Sequence, residues 1–126
     1  MIEPYMHIRD LAQCKEIIAL DQTVLRELLH PDTADVAFRY SLAHAAVQPG
    51  LASKPHKLSA SEVYYILEGE GIMHIDGESS AVAAGQAIYI PPHGVQHIEN
   101  TGNGDLKFLC IVDPAWRAED EELLVS

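Results

Sequence analysis

Cysteine is scarce in this chain. Cys14 and Cys110 are its only two, far apart and without metal-knuckle spacing. That excludes a disulfide framework. Both are read as reduced, with Cys110 a buried strand residue in the run Phe108 to Val112. Basic residues are also few. Eight Lys and Arg stand against 19 Asp and Glu, a formal net charge of -11. Such a surface repels phosphate backbones and anionic lipid, so neither nucleic acid nor membrane is an expected partner. Long apolar runs are missing as well. Glu3, Arg9, Asp10, Lys15 and Glu16 interrupt the first twenty residues. No signal peptide and no transmembrane span are expected, and the expected compartment is the cytoplasm.

What is present is a core. Of the 126 residues 48% are hydrophobic, enough for one folded domain spanning residues 1–126 with an acidic tail at 117–126. Helical spacing occurs once, from Ile8 to Ile18, which predicts a short N-terminal helix. Short β-prone runs fill the rest, at 23–29, 36–47, 62–67, 71–76, 80–83, 87–90, 95–99 and 106–112. Turn residues separate them, including Pro49-Gly50, Glu68-Gly69, Asp76-Gly77 and Pro91-Pro92. Many short strands with tight turns predict an all-β sandwich or barrel. Glu68-Gly69 reads as a two-residue hairpin turn. The face of Glu62, Tyr64 and Ile66 would then continue as Gly71, Met73 and Ile75, with His74 on the other face. The last ten residues read as a short helix or a frayed end.

Two motifs carry chemistry. In the first, Gly50 is followed by His56, Leu58, Glu62 and Gly69. His56 and Glu62, six residues apart, fall on one face of a strand. In the second, Gly85 precedes Pro92-His93-Gly94-Val95-Gln96-His97 and then Asn100. Together they resemble the paired motifs of the cupin superfamily, Gly-x5-His-x-His-x3-4-Glu-x6-Gly and Gly-x5-Pro-x-Gly-x2-His-x3-Asn. The resemblance covers residues 50–100 directly and implies a small single-domain cupin, a double-stranded β-helix or jelly-roll barrel. Matched residue by residue, it implies that His56, Glu62 and His97 ligate a divalent metal. Leu58 stands where a second histidine would be. The step from Gly85 to Pro92 is one residue longer than the pattern, and Asn100 comes one residue early.

Two imidazoles and a carboxylate suit iron, manganese, nickel or zinc. A metal there would polarise a substrate oxygen or activate water. Tyr64, on the face of Glu62, is the candidate proton-transfer or orienting group. The expected substrate is a sugar, sugar phosphate or small organic acid. The alternative reading is a metal-free barrel that binds a small ligand, or serves regulation, without catalysis. In the metal-free case Glu62 needs hydrogen bonds or a cation such as Arg26, Arg39 or Lys57. Gln96 adjoins His97 and is read as facing away from the site. His7 and His30 read as surface or loop residues, and Trp116 as a pin that holds the C-terminal segment to the barrel or to a partner subunit. The resemblance also implies a homodimer.

Overall fold

The protein's computed structural model describes residues 6–124. In chain order the strands are β1 (Glu16–Ile18), β2 (Val24–Leu29), β3 (Ser41–Val47), β4 (His56–Leu58), β5 (Ser61–Glu68) and β6 (Glu70–Ile75). They continue with β7 (Glu78–Ala83), β8 (Ala87–Ile90), β9 (Gln96–Asn100), β10 (Leu106–Asp113) and β11 (Glu121–Leu123). A six-stranded sheet, ordered β1-β2-β3-β10-β5-β8, packs over a five-stranded sheet, ordered β11-β4-β9-β6-β7. The pairings are antiparallel. This is the jelly-roll barrel expected from the run of short strands.

Alternation builds the core. Along β10 the residues Leu106, Phe108, Cys110 and Val112 are buried, while their neighbours face outward. β5 does the same with Glu62, Tyr64 and Ile66, and β9 with Gln96, Ile98 and Asn100. Ile66, Phe108 and Leu106 are fully shielded from solvent. Each such side chain stabilises the fold by roughly 1.5–3 kcal/mol through apolar burial. Asn100 closes the loop that follows β9. Its Nδ2 donates to the carbonyls of Val47 and Gly104, and its Oδ1 accepts from the Gly102 amide.

Three expectations need correction. The N-terminal helix is a single 3-10 turn, Leu11–Gln13, with Asp10 Oδ1 accepting from the Ala12 amide. Cys14 is already extended, and the β-branched pair Ile17-Ile18 joins the sheet opposite Leu25 and Val24. Glu68-Gly69 is a corner and not a hairpin, because β5 and β6 belong to different sheets. Gly69 takes the left-handed φ of +93° there, and a Cβ would approach the Asp105 carbonyl to 2.8 Å. The inward parity of Gly71 and Met73 survives the corner. Of the last ten residues, those described form a 3-10 turn, Ala118–Asp120, as the short-helix reading expected, and then β11, which pairs with β4 and was not expected; residues 125–126 lie outside the described residues. Among the described residues no helix is long and apolar enough to cross a membrane.

Gly71 lies where β6 meets β9, and a Cβ at that position would collide with the Glu99 carbonyl oxygen. Gly71→Ala is therefore expected to destabilise the protein by about 2–3 kcal/mol in urea unfolding. Gly104, with open space around it, is the control and should tolerate alanine. Equal midpoints for the two variants would refute the close approach.

Candidate functional site

The inner faces of β3, β5 and β10 enclose a cavity of about 240 Å³ with the β1–β2 turn. One wall is apolar, with Leu25, Ala43, Ala45, Phe108 and Val112. The polar end carries Asp21, His56, Glu62 and Tyr64, with Glu121 beside them.

Glu62 is the group that the barrel must accommodate. It is buried on β5, and Gln96 Nε2 donates to its Oε1 at 2.8 Å. Burial raises its pKa to about 8; the Gln96 bond opposes this, and the charges of Asp21 and Glu121 add to it. Near neutral pH the carboxyl is therefore mainly protonated. The Tyr64 hydroxyl donates to Gln96 Oε1 at 3.0 Å, and its ring packs against Phe108. Burial, then the Glu62 charge, pushes the Tyr64 pKa well up, so it remains a donor. Tyr64, Gln96 and Glu62 thus form one continuous chain of hydrogen bonds.

His56 enters from β4. Its Nδ1 lies 2.7 Å from the Lys54 carbonyl, which can only accept, so Nδ1 carries a proton. Nε2 then faces Asp21 Oδ2 at 3.5 Å. Asp21 sits in the turn before β2, where Gln22 adopts a left-handed φ of +76°. Its Oδ1 accepts from the Thr23 amide and hydroxyl, which orients the carboxylate.

The structure brings His56 and Glu62 to this cavity and sets His97 on the opposite side of its sheet. His56 pairs directly across strands with Gln96, so those two share the inner face. His97 pairs with His74, and their rings stack at 4.1 Å on the outer face. There His74 bonds Glu99 and Ser79. Gln96, read from sequence as pointing away, is the inward residue and is 1% exposed.

The spacing of the second motif held the signal. Counted from Pro91 instead of Pro92, both one-residue departures vanish. Gln96 then takes the histidine position and Asn100 the asparagine position. His93 takes the glycine position, and it does adopt a left-handed φ of +67°.

The cations proposed for Glu62 are engaged elsewhere: Arg26 with Glu16, Arg39 with Asp113 and Lys57 with Glu122. His30, read as a surface or loop residue, is buried with Nε2 2.7 Å from the Trp116 carbonyl. It helps Trp116 hold the C-terminal segment, as does the Ser41 hydroxyl, which accepts from the Trp116 amide. Asp21 was missed because a turn aspartate has no motif beyond its own Asx bond.

The donor set implied for a metal does not assemble. Leu58 faces inward and is apolar, Gln96 replaces a histidine, and His97 is outside. Among the described residues no three His, Cys, Asp or Glu side chains are placed to hold one ion.

Comparison with known proteins agrees with the architecture. The family described as Cupin domain matches residues 43–112. An uncharacterised protein of Methanocaldococcus jannaschii is 44% identical over 111 residues, 87% of this chain and 88% of that protein. An oxalate-binding protein of Thermotoga maritima is 38% identical over 71 residues, 56% of this chain and 59% of that protein. The crystal structure of a predicted oxalate decarboxylase from Thermotoga maritima superposes with a TM-score of 0.73 at 26% identity, covering 84% of this chain and 97% of that one.

The buried carboxyl makes stability depend on pH in a defined direction. Glu62 has a folded pKa near 8 against an ordinary 4.5. The folded protein thus holds a proton that the unfolded chain releases. Its contribution is complete below about pH 4.5 and is lost as pH rises to about 8. Glu62→Gln keeps the shape and removes the titration. The melting temperature of wild type should therefore fall relative to Glu62→Gln between pH 5 and pH 8, by the equivalent of a few kcal/mol at most. Parallel curves would show that Glu62 does not titrate in this window.

Proposed function

This chain belongs to the cupin family, and from that premise we propose that its barrel interior binds a small organic molecule through proton-bearing side chains. The observation that carries the reading is Gln96. It stands at a metal-donor position of the family pattern and is engaged by both Glu62 and Tyr64. A side chain so held supports a fixed hydrogen-bonding wall. His56 Nε2 and the Glu62 carboxyl lie at one end of a largely apolar cavity. Together they supply a proton acceptor and a proton donor. They can bind a hydroxyl or amine and, if the ligand is a substrate, move a proton on it. Tyr64 acts through Gln96 and is a positioning residue.

The cavity chemistry narrows the expected substrate classes. Sugar phosphates and small organic acids need a counter-charge, and among the described residues no Lys or Arg lines this cavity. The oxalate in the name of one relative meets the same objection here.

Metal analysis tests the reading. Wild type purified without added metal should hold no stoichiometric Fe, Mn, Ni or Zn, and these ions should barely move its melting temperature. The double variant Leu58→His with Gln96→His restores both missing donors on the inner face and should gain a metal-dependent rise. Stoichiometric metal in wild type that His56→Ala abolishes would overturn the proposal.

Self-association is proposed through β1, a sheet edge on which Ile17 and Ile18 are 44% and 61% exposed. Light scattering should give about twice the 13.8 kDa chain mass, and Ile18→Lys should return it to 13.8 kDa. A monomeric wild type would rule this out.

A further inference from the structure

We infer that the cavity's ligand carries an organic ammonium group, seated among Asp21, Glu62 and Glu121, with its apolar body against Leu25, Ala45 and Phe108. The inference deepens the ligand-site reading above and rests on it.

Two buried carboxyls carry the argument. Glu62 is 6% exposed, and its Oε2 has no hydrogen-bond partner among the described residues. No fully enclosed side-chain oxygen or nitrogen there lacks a partner, so Oε2 opens onto the cavity. Asp21 is 7% exposed. Its Oδ1 takes both Thr23 donors, while Oδ2 faces only His56 Nε2 at 3.5 Å, long for a hydrogen bond. Asp21 Oδ2 is an acceptor waiting for a donor; Glu62 Oε2, which carries the carboxyl proton near neutral pH, becomes a second acceptor when a bound ammonium charge favours release of that proton to solvent. Glu121 lies opposite Leu58 in the β4–β11 pair and lines the same space, held by the Trp116 indole N–H at 2.7 Å.

Charge selects among possible donors. Four carboxyl groups line the cavity, those of Asp21, Glu27, Glu62 and Glu121, and among the described residues no Lys or Arg does. An ammonium group offers several N–H donors and the opposite charge. A hydroxyl offers one donor and no charge, and a carboxylate offers neither and is repelled. A bare metal ion is disfavoured because, among the described residues, no three such side chains converge closely enough to ligate it. An ammonium on an organic body reaches the same carboxyls over a longer distance.

The experiment is calorimetric titration of the full chain at pH 7 and low salt with benzylamine, benzyl alcohol and benzoate. These share a ring and differ at the head group. Benzylamine should bind at least tenfold more tightly than benzyl alcohol, and benzoate should not bind. Asp21→Asn, which keeps the Thr23 bonds, should weaken benzylamine about tenfold and leave benzyl alcohol unchanged. Glu121→Gln, nearer the surface, should act in the same direction, and melting curves report whether either variant is folded. Benzyl alcohol or benzoate binding as tightly as benzylamine overturns the ammonium inference and leaves the ligand-site reading intact. Benzylamine binding that neither variant changes also overturns it. No binding of any of the three removes both.

Discussion

A carboxyl group inside a β-barrel is the constraint from which the rest of this site follows. An isolated buried carboxylate is costly enough that a protein neutralises it or surrounds it with donors. Here both happen at Glu62, by a raised pKa and by Gln96. That bond requires Gln96 to point inward. An inward Gln96 fixes the parity of β9, because a strand shifted by one residue turns every side chain to the other face. His97 is then outside by necessity, and Ile98 and Asn100 are inside. Through the His56–Gln96 cross-strand pair the same bond sets the facing of β4, which brings His56 to the cavity and Leu58 with it.

Much of the architecture was legible in the sequence. Period-2 alternation in 62–67 and 106–112 reports strands with one buried face, and they are β5 and β10. The face shared by Glu62, Tyr64 and Gly71 was readable even though the turn between them was misread. A corner between sheets preserves parity as a tight hairpin does, and only long-range pairing tells them apart. The helix reading at Ile8–Ile18 failed because apolar spacing over eleven residues is weak evidence. Ile17 and Ile18 could pair with β2, and that tertiary contact outweighed local periodicity.

The site was less legible. Matching on the histidine letter pulled the second motif one residue off, at the expense of two spacings that were otherwise intact. Geometry was the better guide: the glycine position demands a left-handed backbone, and His93, not Gly94, adopts it. Asp21 and Glu121 come from a turn and a three-residue strand at opposite ends of the chain. Nothing local announces either, since each joins the cavity only through sheet pairing. His56 and Glu62 were read onto one strand, whereas β4 and β5 are separate strands in different sheets, and β4 was missed for a similar reason. It has three residues, and its partner β11 lay in what reads as a solvated acidic tail.

The replaced donor positions also bear on how the barrel stands without a metal. Leu58 is buried and packs with Ala60 and Val112 in an apolar cluster of its own. Where a histidine would need a metal or a hydrogen bond to be tolerated, leucine contributes apolar burial outright. Gln96, at the other position, is satisfied from both sides by protein groups. The two changes convert a pair of polar demands into one packed contact and one closed hydrogen-bond chain. The stability of the fold therefore rests on its own side chains. What stays polar and open at the cavity, chiefly Asp21, His56 and one oxygen of Glu62, is unneeded for packing and is free to meet a ligand.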